Sequence, residues 1–597
     1  MRAFHSPSPA AHPLPRARPA RRPRFPLALL LVVLGAFATA PSIRAQNVEW
    51  GRLPESLRLF PRDASDSCAV TVEGTVLGGD FDSVSVTVLR DDIPSLRLAE
   101  PLIYEGVRAP FSFSLPLRAE LAEYDLLVHL DTVLVAERES LLCGDVLLIN
   151  GQSNAVAYDY GGVVTNRSEW VRSFGTTEAD SSACEADTLW GLAQAHERYA
   201  PLAVGVWGLR LGEKIATRFG VPVCLLNGAV GSTFIQQHKR KSPPLERLST
   251  IYGRLFYRAR KAGLDGAARA MLWYQGEANT SSPAPTYAGH FAELHAAWKE
   301  DYPALERIYV FQIRPGCGED HQGLLREVLR RLPEAHEDVV ALSTAGLPGH
   351  DGCHFDSCGY GRMAEWASLS VGRDLYGSTD TAGARPPNPI EAHFADSNRD
   401  AILVRFDQPI VWPLDTLGAP LEDFFYLNDS SVWVIGGAVT EDSAVLRLDL
   451  AGTTGADSLT YLPDCCYEGS TTSYKGPWIR NGRGIGAFSF HKVRMRGPLS
   501  TGVSAGERSI PPALHLEAAP NPFNASITIR ADIPAAGPVR LTAFDALGRR
   551  AAVLFDGEAG PEPFVREWSP ADLPSGVYFI RLESGGRSAI RKTILLK

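Results

Sequence analysis

Between Cys143 and Leu375 the sequence alternates short apolar segments with longer segments of helical character. The apolar segments read DVLLIN, VPVCLLNG, RAMLWYQG, RIYVFQI and DVVALS, and the stretches between them include ERLSTIYGRLFYRARKAG and YAGHFAELHAAWKEDY. Strands that alternate with helices pair in parallel, because each helix carries the chain back to the same end of the sheet. The alternation predicts an α/β domain at residues 142–383 with helices on both faces of a parallel sheet.

Strand patterns of a different kind flank this segment. Period-two alternation in CAVTVEGTVLGG and SVSVTVLRDD predicts a small antiparallel β domain at 46–141. After a proline-rich break, strand patterns resume and predict a β-sandwich accessory domain at 384–497, and a Gly/Ser-rich linker at 498–515 leads to a last β module at 516–597. At about 150 residues per domain, the length of 597 residues agrees with four domains after a leader.

Residues 1–45 are first basic and then apolar. They contain seven Arg and no Lys, Asp or Glu, and their apolar run PLALLLVVLGAFA is followed by small residues. The run is shorter than the roughly 20 residues of a membrane-spanning helix, so the pattern indicates a secretory signal peptide cleaved near Ala45. No later apolar run is long enough to span a bilayer, and no transmembrane segment is expected after cleavage.

The net charge and the cysteine content argue against nucleic-acid binding and against a bound metal. The net charge is -9, and without residues 1–45 the chain has 52 basic and 68 acidic residues, a net of -16. Such a body repels a phosphate backbone, and the densest basic cluster, His238–Lys241, is short, so no nucleic-acid partner is expected. Nine cysteines are too few for a disulfide framework and none has zinc-ligand spacing, so neither a metal nor a cofactor is expected.

Polar motifs follow four of the predicted strands. Ligands of an open parallel sheet bind beyond the carboxyl ends of its strands, so these loops are the candidate site. The loops are Gly151-Gln152-Ser153-Asn154, Gly228-Ala229-Val230-Gly231-Ser232-Thr233, Gln275-Gly276-Glu277-Ala278-Asn279 and His350-Asp351-Gly352-Cys353-His354-Phe355-Asp356.

The residues of these loops suit nucleophilic catalysis. A serine hydroxyl such as Ser153 needs a base to take its proton, and His354 can be that base with Asp351 orienting its ring. No second glycine follows Ser153, which argues against the GxSxG turn of α/β-hydrolases. Candidate oxyanion donors are the backbone N–H groups of Ser153 and Gly231 and the side chain of Gln275.

Four segments resemble the successive blocks of the SGNH-type carbohydrate esterases. They are GDVLLINGQSNA, NGAVGSTFI, LWYQGEAN and DGCHFDSCGYGRMAE, and they are most similar to the sialate O-acetylesterases and related acetylxylan esterases. The resemblance implies a flavodoxin-like three-layer α/β/α hydrolase fold, a Ser153–His354–Asp351 triad, an acetylated carbohydrate as substrate and an acyl-enzyme intermediate. The wider pattern has Asn where this chain has Ala278. Related esterases carry WYQGE, so the resemblance implies Gln275 as the oxyanion donor, with Asn279 as the alternative.

Other interpretations of these residues stay open. Asn154, Glu277 and Asn279 are candidates for a supporting role. His350 and His354 suggest zinc, although the glutamate of HExxH is missing. Cys353 and Cys358 either form a local bridge or remain buried thiols. The aromatic residues Trp273, Tyr274 and Trp366 are expected in the core rather than as sugar platforms.

Two alternative functions also follow from the sequence. A non-catalytic glycan-binding or adhesive surface protein on the same fold has no need of the three triad residues together. A metal-dependent deacetylase predicts loss of activity in EDTA. The acetylated sugar itself cannot be read from the sequence, and sialic acid, xylan and pectin-type substrates are all compatible with it.

The C-terminal module carries a second resemblance. PNPFN, VRLTAFDALGRR, SGVYFIRLESGG and the terminal RKTILLK occur in the order seen in type IX secretion sorting modules of Bacteroidetes and related phyla. The resemblance implies a small β-sandwich, the type IX secretion machinery as a partner, and a secreted or cell-surface location in a Gram-negative bacterium. The alternative is a generic Ig-like spacer.

Overall fold

A computed structural model describes residues 47–597 except 159–166, 177, 179, 196–197, 280–283, 317–321, 414–419, 464–475, 499–514, 534–536, 547, 560–563 and 585–586. The predicted signal peptide and most of the predicted linker therefore lie outside the described residues. The chain divides into two compact units, residues 1–499 and 500–597. Within the described residues, no helix is long and apolar enough to cross a membrane.

The N-terminal part of the first unit consists of mainly antiparallel strands around an apolar core, with β2 pairing in parallel with β8. The strands are β1 (Val48–Arg52), β2 (Leu59–Pro61), β3 (Ser67–Leu77), β4 (Ser83–Arg90), β5 (Ile93–Pro101), β6 (Arg108–Arg118), β7 (Tyr124–Leu130) and β8 (Val133–Gly151). Alternate residues of β3, among them Val70 and Val72, are buried, as the period-two pattern predicts. Strand β8 continues directly into the α/β region, so the predicted boundary between residues 141 and 142 falls inside one strand.

The α/β region contains the parallel sheet. Its further strands are β9 (Val171–Phe174), β10 (Trp190–Leu192), β11 (Val223–Asn227), β12 (Ala268–Tyr274), β13 (Arg307–Gln312) and β14 (Val339–Ser343). Its helices are α1 (Ser153–Val156), α2 (Ser181–Ala186), α3 (Val206–Phe219), α4 (Ile251–Ala262), α5 (Ala284–Asp301), α6 (Gln322–Ala335) and α7 (Ser357–Leu375).

The strand order brings the polar loops to one edge of this sheet. The order is β10-β9-β11-β8-β12-β13-β14, with parallel pairing from β9 to β14 and an antiparallel edge strand β10. The central strands are buried on both faces, which explains why their sequences are continuous apolar runs rather than alternating ones. The loops after β8, β11, β12 and β14 therefore share the carboxyl edge of the sheet, where the sequence analysis expects the site.

The accessory region adds a mainly antiparallel sheet. Its strands are β15 (Pro389–Phe394), β16 (Ala401–Phe406), β17 (Phe425–Leu427), β18 (Val434–Val439), β19 (Val445–Leu450), β20 (Ser458–Tyr461) and β21 (Phe490–Arg496). They pair in the order β17-β20-β21-β15-β16-β19-β18 over a core of their own.

Close backbone contact joins the accessory region to the α/β region. A Cβ on Gly486 would lie 2.0 Å from the carbonyl oxygen of Ala345, so only glycine fits at this junction. The side chain of Gln312 donates to the carbonyl oxygen of Ser489 at 2.9 Å and accepts from the N–H of Ser489 at 3.0 Å. Because these groups are buried, the accessory region is held firmly against the carboxyl ends of β13 and β14.

The second unit is also built from strands. They are β22 (His515–Ala519), β23 (Ile527–Asp532), β24 (Gly537–Asp545), β25 (Arg550–Ala559), β26 (Phe564–Trp568), β27 (Gly576–Ser584) and β28 (Arg587–Leu595). One sheet has the order β22-β23-β26 and the other β25-β24-β27-β28. Residues of both sheets, such as Ile529 and Leu541, form one buried cluster, as in a small β-sandwich.

Candidate active site

The candidate nucleophile lies on a tight turn between β8 and α1. Gly151, the last residue of β8, has a φ of +135°, and a Cβ on it would lie 2.0 Å from the carbonyl oxygen of Tyr274 on β12. Only glycine permits this close approach of the two strands. The turn places Ser153 at the first position of α1, with its side chain partly exposed.

The structure brings Ser153, His354 and Asp351 together. The Ser153 Oγ and His354 Nε2 atoms lie 3.0 Å apart, within hydrogen-bonding distance, although the residues are far apart in sequence. The His354 Nδ1 and Asp351 Oδ2 atoms are 3.6 Å apart. With the Nδ1 proton facing the carboxylate, the Nε2 atom is left to accept the serine proton. The arrangement has the connectivity of a serine–histidine–aspartate triad.

Local hydrogen bonds keep the Asp351 carboxylate in place. Partial burial would raise its pKa, but the backbone N–H groups of His354 and Cys353 donate to its Oδ1 at 2.7 and 2.8 Å, and together with the nearby His354 ring they lower the pKa below its ordinary value. Its side chain is 68% exposed, compared with 28% for His354. Asp351 therefore remains an anion that can stabilise a positive charge on the His354 ring.

The three predicted oxyanion donors differ in their present partners. The Ser153 N–H donates to no group among the described residues. The Gly231 N–H donates to the hydroxyl oxygen of Tyr199 at 2.8 Å. The Gln275 amide donates to the Thr233 carbonyl oxygen at 3.0 Å and to Asn279 Oδ1 at 2.7 Å. Gly231 and Gln275 can each hold an oxyanion only after they give up one of these hydrogen bonds.

Asn154 links the nucleophile turn to the loop that carries the candidate base. Its Nδ2 donates to Glu277 Oε1 at 2.8 Å and to the carbonyl oxygen of Cys353 at 2.9 Å, and its Oδ1 accepts from the Tyr360 hydroxyl at 3.0 Å. Cys353 directly precedes His354, so the Asn154 side chain helps to position the imidazole over Ser153.

Glu277 is the second buried polar residue of this network. It is only 5% exposed, and burial raises the pKa of its carboxyl to about 7, although hydrogen bonds, including the one from Asn154, act in the opposite direction. Asn279 belongs to the same loop after β12, and its Oδ1 also accepts from the backbone N–H of Ile235 at 2.9 Å.

Sequence reasoning missed several side chains that position these groups. Gln152 Oε1 accepts from the N–H groups of Gly276 and Ala278 at 3.1 and 3.2 Å, which ties the loop after β12 to the nucleophile turn. Arg314 is buried and donates to the Gly352 carbonyl oxygen. Arg314 follows β13, so the rule that polar residues after strands deserve attention could have found it. Tyr199 carried no such signal.

Two other interpretations of the His350–Cys358 segment concerned a metal site and a local disulfide. Arg314 Nη2 donates to His350 Nε2 at 2.9 Å, which makes that nitrogen unavailable to a metal. No group of three or more His, Cys, Asp or Glu side chains suited to a metal ion occurs in the described part of the chain. Both alternatives for Cys353 and Cys358, a local bridge or two buried thiols, are wrong, because Cys353 is disulfide-bonded whereas Cys358 is a free and exposed thiol.

The expected core positions of three aromatic residues are confirmed. Trp273 and Tyr274 are completely buried, and Trp366 is 8% exposed. Trp273 and Tyr274 sit on β12 between neighbouring strands, where they pack rather than meet solvent. These side chains shape the sheet beneath the site and are not sugar platforms.

A parallel sheet with a serine, a histidine and an aspartate at its carboxyl edge is an arrangement found in hydrolases. Residues 143–369 match the family model "SASA: Carbohydrate esterase, sialic acid-specific acetylesterase". This segment, which makes up less than half of the chain, therefore has the sequence pattern of a carbohydrate esterase domain. No curated protein matches the chain.

Two solved structures are similar to parts of this chain. A carbohydrate acetylesterase from Xanthomonas citri is 18% identical with a TM-score of 0.50, and the match covers 74% of this chain and 98% of that one. An Arabidopsis thaliana protein is 21% identical with a TM-score of 0.31, and that match covers 38% of this chain and 98% of the other. At this identity, the likeness to the Xanthomonas protein establishes a shared fold.

Proposed function

We propose that the α/β region is a serine carbohydrate O-acetylesterase that removes acetyl groups from acetylated sugars. The observation that carries the proposal is the 3.0 Å approach of Ser153 Oγ and His354 Nε2 within a carbohydrate esterase domain. A hydroxyl beside an imidazole that faces a carboxylate can be deprotonated as it attacks a carbonyl carbon. The proposal includes the three-layer SGNH-type arrangement of helices around the sheet.

The reaction proceeds in two steps. Ser153 Oγ attacks the acetyl carbonyl carbon while His354 Nε2 takes its proton, and the tetrahedral intermediate then collapses as His354 returns the proton to the departing sugar oxygen. In the second step His354 takes a proton from water, the hydroxide attacks the acetyl-enzyme, and acetate leaves as Ser153 regains its proton. Asp351 stabilises the imidazolium formed in each step.

The oxyanion is held by the backbone of two loops. The Ser153 N–H is available, and the Gly231 N–H becomes available when the acetyl oxygen replaces the Tyr199 hydroxyl as its acceptor. Gln275 joins them as a third donor by releasing Thr233 or Asn279. Loss of one oxyanion donor typically costs about 10²- to 10³-fold in rate.

Export is the second part of the proposal. Residues 1–45 act as a signal peptide, and residues 516–597 act as a type IX secretion sorting module, which delivers the enzyme outside a Gram-negative cell or to its surface. The sequence order PNPFN to RKTILLK supports the sorting role. The separate compact fold of residues 500–597 suits a module recognised by secretion machinery.

Acetate release tests the catalytic proposal. The full chain and its Ser153→Ala variant are compared on p-nitrophenyl acetate and on acetylated oligosaccharides, and we expect the variant to lose about 10⁴-fold or more in kcat. Ser431→Ala, at an exposed serine of the accessory region, is the matched control and should retain full activity. Equal rates for the full chain and Ser153→Ala would reject the serine mechanism. Loss of activity in EDTA would instead favour a metal-dependent deacetylase.

A further inference from the structure

The loop that carries His354 runs from residue 344 to residue 356 without a helix or a strand. Its backbone has positive φ at Gly349 and Gly352, of +62° and +113°. Glycine adopts such angles without strain, but it also has the widest choice of conformations and loses the most freedom when it is fixed. Contacts from outside the loop must therefore select the conformation that places His354 beside Ser153.

Cys353, the residue before His354, is fixed through its backbone and through its side chain. Its N–H donates to Asp351 Oδ1 at 2.8 Å, and its carbonyl oxygen accepts from Asn154 Nδ2 at 2.9 Å. Its sulfur forms a disulfide. The disulfide ties the loop covalently to a second point of the chain, and Cys358 is not that point because it is a free thiol.

The hydrogen bonds and the disulfide respond differently to water. Cys353 is half-buried and Asp351 is mostly exposed, so solvent competes for the hydrogen bond between them. A disulfide does not exchange with water, and it restricts the chain whether or not the hydrogen bonds are formed. Among the contacts of Cys353, the disulfide therefore sets the strictest limit on how far His354 can move.

The position of His354 matters because its partner belongs to a different element. Ser153 lies on the turn between β8 and α1, whereas His354 comes from the loop after β14. The 3.0 Å distance between Ser153 Oγ and His354 Nε2 therefore depends on how firmly that loop is held. A displacement of about 1 Å at a catalytic group can lower the rate about 10²-fold.

We propose that the disulfide at Cys353 positions His354 for catalysis, which makes Cys353 a positioning residue of the esterase. The inference rests on the proposed esterase function and adds a dependence on redox conditions. A dithiol reductant supplies two electrons and two protons, opens the disulfide to two thiols and is itself oxidised to a disulfide. Structural disulfides form and persist in oxidising compartments. The chain therefore gains its full activity only in an oxidising environment such as the one it meets on export.

Reduction of the folded full chain tests the positioning role. The chain is treated with dithiothreitol, the reductant is removed by anaerobic gel filtration, and hydrolysis of p-nitrophenyl acetate is measured. We expect kcat to fall about 10- to 100-fold with little change in KM, because the base is displaced while the acetyl site on β8 stays intact. Reoxidation with oxidised glutathione should restore kcat. Thiol labelling with mass spectrometry confirms complete reduction, and far-UV circular dichroism confirms that the fold is kept.

Two cysteine variants assign the effect to this disulfide. Cys353→Ser should have a low kcat from the start and lose nothing further on reduction. Cys358→Ser is the matched control, because it changes a free and exposed thiol of the same segment. It should keep full activity when oxidised and lose activity on reduction as the full chain does.

Three results would overturn the inference. They are unchanged kcat of the fully reduced full chain, an equal further loss on reduction in Cys353→Ser, and a loss of kcat that is matched by loss of the far-UV signal. The esterase proposal fails separately, through full activity of oxidised Ser153→Ala on p-nitrophenyl acetate, and the inference would then fall with it.

Discussion

The two halves of the candidate site are held in place by different means. The nucleophile turn follows the central strand β8, and its Gln152 and Asn154 side chains are almost fully buried in hydrogen bonds. The loop that carries Asp351 and His354 has no regular secondary structure, and Asp351 is mostly exposed. The comparison teaches that Ser153 is positioned by the sheet, whereas His354 depends on long-range contacts from Asn154 and Arg314.

The largest expected loss of activity follows substitution of His354, and it should exceed the loss that follows substitution of Asp351 on the same loop. His354→Ala removes the general base and should lower kcat about 10⁴-fold. Asp351→Ala should cost less, about 10²-fold, because water partly replaces an exposed carboxylate beside the imidazole. Steady-state kinetics on p-nitrophenyl acetate measure both. Equal losses would mean that Asp351 is shielded from water during the reaction.

The second prediction concerns Asn154, which joins the nucleophile turn to the loop that carries His354. Asn154→Ala removes the hydrogen bond to the Cys353 carbonyl oxygen and should lower kcat by about 10- to 100-fold through misplacement of His354, with little change in KM. Tyr360→Phe is the matched control, because it removes only the hydroxyl that donates to Asn154 and should have a smaller effect. A change in KM alone for Asn154→Ala would contradict a positioning role.

These supporting contacts mark the limit of what the sequence could reveal. The alternation of apolar and helical segments predicted the parallel sheet, and the rule that ligands bind at the carboxyl edge pointed to Ser153, Asp351 and His354. Arg314, just after β13, donates to the loop that carries His354, and Tyr360 on α7 donates to Asn154. No local pattern shows which carbonyl or amide a distant side chain will meet. The partners of Gly231 and Gln275 depend on packing in the same way.

The pH dependence of the free energy of unfolding tests the burial of Glu277, which accepts a hydrogen bond from Asn154 on the nucleophile turn. The Glu277 carboxyl has a raised pKa of about 7 in the folded chain, against 4.5 for an unperturbed group, so ionisation favours unfolding as pH rises through this window. Glu277→Gln cannot ionise, and its gain in free energy of unfolding over the unsubstituted chain should grow to about 3 kcal/mol above pH 7. Denaturant unfolding on both sides of the window measures the gain. A gain independent of pH would show that Glu277 is ionised throughout.

The smallest effect concerns the partner of the Gly231 N–H. Tyr199→Phe removes the hydroxyl that now accepts from this N–H, so the acetyl oxygen no longer has to displace it. We expect kcat/KM for p-nitrophenyl acetate to rise by about two- to fivefold, corresponding to part of one neutral hydrogen bond. A large loss of activity would instead assign the Tyr199 hydroxyl itself to the reaction.

The central claim is that Ser153 carries the acetyl group between the two steps. Brief mixing of the full chain with p-nitrophenyl acetate, an acid quench and peptide mass spectrometry locate that group directly. The account predicts one added acetyl on the peptide that contains Ser153 and none in Ser153→Ala. Acetyl on a different residue, or acetate release at the full rate by Ser153→Ala, would contradict it.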